Sequence, residues 1–413
     1  MDPTRRDAGT VLATPPAPPP LATPPAPSMA PAPAHPRRPH WPELDLLRGF
    51  AAVLMVLNHA GVRWKLTPGH VLDEALVFSG SLAPVVFFTV TGMGRGVQAA
   101  ANGRHRPWSD TLTKALLLLL ADAALWLSPA RPLGMDFLGF IGVSTLLVEG
   151  LARSARPRAA ALATLGVVLG ARLLLVPALR PWFDGAGDGA LLPFFLGARD
   201  LAGFSYPPCP WLAYPVVGFL LGDLAQRHPR RARTLAGGVG MAAAGAVALG
   251  LACAFMAARG LVFFRWGTSS FAFTVLGFAA IAAASTTVLL VARSARFTAV
   301  ASLPGTSSLL VVPLHYGLIA AVDLLWPDAA SDGRFPALAA LGVVLALASA
   351  RGLDRVLARA VGPHTGRAAW RKTLVATITL LAITAAAADS PAHLPCMIAT
   401  QIAVGVLFLL RRR

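Results

Sequence analysis

Four polar side chains interrupt the apolar run LDLLRGFAAVLMVLNHAG at 44–61: Asp45, Arg48, Asn58 and His59. An imidazole with a pKa near 6.5 takes a proton from a hydroxyl or an amine at neutral pH, which makes His59 a candidate general base. Asn58 beside it is a second member of a candidate catalytic set. A charge in the middle of a membrane helix costs roughly 2.5–3.5 kcal/mol, so these residues call for a compensating role. Helical geometry relates them. Eleven residues at about 100° each bring Arg48 and His59 onto one stripe, on the order of 16 Å apart along the axis. Asp45 lies one turn before Arg48, at a spacing that allows an ion pair. Only Ala52 and Met55 stand between Arg48 and His59 on that stripe. The face thus has a charged pair at one end, a slim middle and an imidazole at the other.

Further candidates lie along the chain. His315, followed by Tyr316, sits near the middle of a late apolar run, as a second base or acceptor ligand or as a core histidine bonded to a carbonyl. Arg95, Arg106 and Lys114 are basic residues suited either to holding donor phosphates or to marking topology. Asp200 and Trp211, with Trp182 and Tyr206, are candidates for an acceptor site or an interfacial aromatic belt. The GMGRG run at 92–96 mimics a dinucleotide loop, but it follows an apolar helix rather than a strand, so small-residue helix packing is the better reading. Cys209, Cys253 and Cys396 have no metal or disulfide spacing. No G-x-S-x-G, P-loop or H-E-x-x-H motif occurs, which argues against a soluble hydrolase, an ATP-driven pump and a zinc protease.

The elements that must position these side chains are membrane helices. The chain is 55% hydrophobic and only 13% charged over 413 residues, with a mean hydropathy of +0.63; a soluble protein carries about 25% charged residues. Apolar runs long enough to cross hydrocarbon are predicted at 44–63, 75–97, 112–128, 135–152, 158–178, 207–226, 235–258, 270–292, 306–326, 335–350, 370–388 and 394–410. The expected fold is an all-α polytopic transmembrane bundle of about 10–12 spans, the last two forming a hairpin at its periphery. Net charge is +17, but the Arg residues cluster between alternate apolar runs. That is the positive-inside pattern rather than a nucleic-acid patch, and it places both termini in the cytoplasm. Residues 1–41 are Pro/Ala-rich and are expected to be a disordered cytoplasmic tail, with the membrane domain at 42–413. The longest outer connection is expected over 179–206.

The pattern Asp-x-x-Arg-Gly…His of 45–59 resembles the first helix of the acyltransferase-3 family, and equally that of the heparan-α-glucosaminide N-acetyltransferase family. APVVFFTVTGMGRG (83–96) is similar to the second helix of both. YPPCPWLAYPVVGFLLGD (206–223) looks more like the heparan-type family, and SSLLVVPLHYGLI (307–319) resembles the late Ser-Leu…His helix of the superfamily. The resemblance implies acyl transfer, usually of acetyl, from cytoplasmic acyl-CoA to a sugar or similar acceptor at the outer face, without a metal. The expected location is the plasma (inner) membrane of a bacterium. In the animal heparan-type enzyme Asn stands where His59 stands, and the catalytic His comes eleven residues later, at the position of His70. His59 and His70 are therefore both candidate bases. A secondary transporter is the alternative from another class, and a haem protein ligated by His59 and His315 a third.

Overall fold

The computed structural model describes residues 41–64, 71–102, 107–130, 134–185, 191–259, 271–292, 294–303, 307–326, 335–361 and 366–412. The expected tail (1–40), His70 and Arg106 lie outside them. The described chain is a bundle of α-helices: α1 (Pro42–Arg63), α2 (Val71–Gly80), α3 (Ala83–Asn102), α4 (Trp108–Trp126), α5 (Phe137–Arg153), α6 (Pro157–Gly170), α7 (Ala213–Arg227), α8 (Leu235–Arg259), α9 (Phe271–Val291), α10 (Ser307–Leu325), α11 (Phe335–Val361), α12 (Arg367–Ala386) and α13 (His393–Arg412).

Every run predicted from hydropathy is helical, and eight of the described helical segments are long and apolar enough to cross a membrane. The boundaries differ in places. The run 75–97 begins in α2 and breaks at Ser81–Leu82, where Gly80 presses against the backbone of Asn58 and Pro84 opens the next helix. α6 continues through a π turn at Ala171–Leu175 into Val176–Gly185. The outer connection is therefore shorter than the 28 residues of 179–206, and it contains another short helix at Leu191–Phe195. α11 extends eleven residues past its apolar run, because Arg351, Arg355 and Arg359 fall on one helical face and leave the pattern amphipathic.

α1 is the hub. It packs on α2, α3, α9, α10 and α11, and Leu46, Leu47, Ala51, Ala52 and Val56 are buried in the largest hydrophobic cluster. Pro42 in the first turn, Glu43 and Asp45 near the N-terminus and Arg63 at the C-terminus suit the helix geometry and dipole. The tightest helix pair is α3 with α7. A Cβ on Gly92 would sit 1.9 Å from the Pro215 carbonyl oxygen, and one on Gly96 2.1 Å from that of Phe219. From the other side, a Cβ on Gly218 would lie 2.0 Å from the Thr89 carbonyl oxygen. Only glycine lets the two backbones come this close, the small-residue packing used between membrane helices. The last hairpin is not peripheral: α13 packs on α4, α10 and α11, and the buried Gln401 amide donates to the Ala121 carbonyl at 3.1 Å. Exposed Leu162, Val167 and Leu174, Val247 and Leu251 on α8, Val344 on α11 and Ile378 on α12 form the apolar exterior that lipid covers.

Candidate active site

Adjacent side chains of α1 point to different neighbours. Asn58 turns to α2, where its amide donates to the Val77 carbonyl at 3.4 Å. His59, about 100° further round, turns to α10. There its Nδ1 lies 2.7 Å from Nε2 of His315, and both imidazoles contact the Tyr316 ring, with centroids 4.9 Å and 4.2 Å away. His315 is fully buried, and its Nδ1 is 2.9 Å from the Val311 carbonyl oxygen one turn back in its own helix.

These contacts fix the tautomers of the neutral pair. A carbonyl only accepts, so His315 Nδ1 carries a hydrogen and its Nε2 is bare. His59 must then donate from Nδ1 to that bare nitrogen, which leaves a lone pair on His59 Nε2. An oriented imidazole with an unprotonated Nε2 is what general-base catalysis requires. The two nitrogens stand at hydrogen-bond distance, 2.7 Å, too close for an iron between them, a geometry that does not suit the haem reading. Among the described residues, no group of three His, Cys, Asp or Glu side chains could hold a metal ion.

Residues 303–323 grip α1 at both ends. At the N-terminal end the Leu303 amide donates to the Asp45 carbonyl at 2.9 Å, while Gly49 packs so closely that a Cβ there would overlap the Ala301 carbonyl. At the other end Asp323 of α10 accepts from Arg63 Nε at 2.6 Å and from Trp64 Nε1 at 2.8 Å. Asp45 and Arg48 form the expected ion pair, with the carboxylate side chain buried and the guanidinium 30% exposed. Ala52 and Met55, between Arg48 and His59, are buried. Gly94 of α3 faces Arg48, at 3.8 Å from Nη2 to a Cβ built on the glycine. The GMGRG run thus has two faces: Gly92 and Gly96 toward α7, Gly94 toward α1.

The remaining candidates are dispersed. Arg95 is buried and forms a bidentate pair with Glu149, at 2.6 and 3.0 Å. Arg153 joins the same carboxylate at 2.7 Å and lies over the Trp108 ring. Lys114 is half-buried on α4 and Asp200 exposed. Trp211 is fully buried rather than part of an open stacking surface; its ring packs against Tyr206, Tyr214, Phe88 and Phe273. Three carboxylates near these groups were passed over in the sequence. Asp122 on α4 accepts from Trp126 Nε1 at 3.0 Å and from the Asp136 amide at 2.8 Å. Asp323 is the third. A lone Asp inside LLLLLADAALW (116–126) is the signal that marks Asp122.

Residues 41–252 match the family described as heparan-alpha-glucosaminide N-acetyltransferase, catalytic. Neither the curated proteins nor the solved structures contain a match. The matched region holds α1 to α7 and most of α8, including His59; His315, its hydrogen-bond partner, lies beyond it.

Proposed function

From the premise that the chain belongs to the heparan-α-glucosaminide N-acetyltransferase catalytic family, an acetyltransferase family of membrane proteins, we propose that it moves an acetyl group from cytoplasmic acetyl-CoA to a sugar or similar acceptor at the outer face. His59 is the proposed base. The observation that carries this reading is the 2.7 Å contact between His59 Nδ1 and His315 Nε2, which leaves His59 Nε2 free to take a proton. The acceptor nitrogen or oxygen attacks the thioester carbonyl carbon, the new C–N or C–O bond replaces the C–S bond, and His59 Nε2 takes the acceptor's proton. That proton then returns to the departing CoA sulfur. His315 stabilises the transient imidazolium by accepting its Nδ1–H.

Arg48, partly exposed at the inner end of the same helix, is the proposed contact for the donor's phosphates, with Lys114 and Arg106 as further basic candidates. Arg95, held by Glu149, is better suited to a structural part. Asp200 remains a candidate for the acceptor side. Family membership favours group transfer over solute transport.

Purified protein given labelled acetyl-CoA and an amino sugar should yield labelled product. His59→Ala should lose on the order of 10²–10⁴-fold in turnover while remaining folded. If His70→Ala is inactive and His59→Ala turns over normally, the base is His70 and this assignment is wrong.

A further inference from the structure

Asp323 is neither in the imidazole pair nor within the matched region, yet it binds both residues that close the helix carrying His59. One carboxylate oxygen accepts from Arg63 Nε and the other from Trp64 Nε1. Arg63 is 68% exposed and Asp323 28% exposed, and an ion pair so open to solvent adds little to stability. Trp64 differs. It is 3% exposed and wedged among Ala60, Ile319, Phe335 and Ala339 of α1, α10 and α11. Its indole N–H has Asp323 as partner in an otherwise apolar setting, so the bond fixes where the end of α1 sits against α10.

Those are the two helices whose side chains make the His59–His315 hydrogen bond. A hydrogen bond between two ring nitrogens tolerates little displacement, and four residues separate His59 from Arg63. We propose that Asp323 is a positioning residue: by gripping Arg63 and Trp64 it sets the register of α1 on α10 and keeps His59 Nδ1 on His315 Nε2. The catalytic consequence rests on His59 being the base; the positional consequence does not.

The test separates the two. In protein labelled with ¹⁵N-histidine, the wild type should show an Nδ1–H···Nε2 resonance that disappears in both His59→Ala and His315→Ala. Asp323→Ala should lose or broaden that resonance, and Asp323→Asn, which keeps one acceptor oxygen, should retain it in part. Turnover at saturating substrates should fall in the same order, by about 100-fold for the alanine variant if the base is displaced by an ångström, with KM for acetyl-CoA changed less than kcat. Arg158→Ala, which removes the ion pair of a half-exposed arginine to Asp223 on α7, serves as the control and should keep the resonance. An intact resonance in folded Asp323→Ala overturns the proposal whatever the activity shows. Loss of the resonance with full turnover supports the positioning and instead refutes His59 as base. If Asp323→Ala does not fold, Arg63→Ala combined with Trp64→Phe removes the same two bonds from the other side and carries the same outcomes.

Discussion

The imidazole pair divides labour between two residues of the same type. His59, the proposed base, is the half-buried member; His315 is fully buried and anchored to Val311. His315→Ala should therefore lower turnover by about 10- to 100-fold while leaving His59 in place to act as a poorly oriented base. Single-turnover transfer of labelled acetyl would measure it, and a loss as complete as that of His59→Ala would mean that the two act as one unit. The ion pair at the N-terminal end of the same helix behaves differently. Asp45 is buried and Arg48 partly exposed, so Arg48→Ala takes the guanidinium away from a buried carboxylate, whereas Arg48→Ala with Asp45→Ala removes both charges. The single variant should yield less folded protein than the double. Strictly additive losses of membrane-extracted, folded protein would show that the two side chains do not depend on each other. His59, Asp45 and Arg48 were legible because each breaks an apolar run. The partner of His59 was not: His315 lies 256 positions away, and helical periodicity relates residues within one helix, never between two.

At the scale of elements, hydropathy located the long helices but not their breaks or the short helices between them, such as Leu191–Phe195. The Ser81–Leu82 break lies where Gly80 packs on Asn58 of another helix, a contact that no window along the chain sees. Arg95 illustrates the same limit. Its place near a basic connection made it a phosphate ligand or a topology marker, while the structure sets it in a triad with Glu149 and Arg153 that ties α3 to α5. Glu149→Leu leaves Arg95 buried without its carboxylate and should destabilise the protein by about 3–5 kcal/mol. Combining it with Arg95→Met should restore most of that loss, as read by thermal unfolding in detergent. The glycines of α3 and α7 give a sharper contrast. Gly92→Ala forces a methyl against the Pro215 carbonyl and should cost roughly 1–3 kcal/mol or more, whereas Gly150→Ala on α5 meets open space and should leave the melting temperature unchanged or raise it.

The whole molecule depends on more than the matched region. Residues 41–252 hold His59, but its hydrogen-bond partner, the Asp323 grip and the Gln401 contact to α4 all come from later segments. A chain ending after Val361 should therefore fail to accumulate as folded protein, since α13 would no longer pack on α4, α10 and α11. Fluorescence-detected size exclusion of both lengths would report it, and a monodisperse, active short form would show the last hairpin to be dispensable. Orientation is an expectation from the Lys and Arg pattern. It predicts that sealed vesicles support transfer only when acetyl-CoA is supplied to the face bearing the basic connections.

The glycine contact between α3 and α7 bears on how any cargo crosses the bilayer. Carbonyl oxygens lie where side chains would normally stand, at Gly92, Gly96, Gly218 and Gly222, so neither helix can slide along or roll over the other without a backbone collision. The two move as a single strut. Rocking machines that carry a solute from one side to the other need at least one greased seam, and this seam is cogged. On the proposed function, travel across the hydrocarbon beside this pair falls to the long, flexible pantetheine arm of the donor rather than to sliding of α3 on α7.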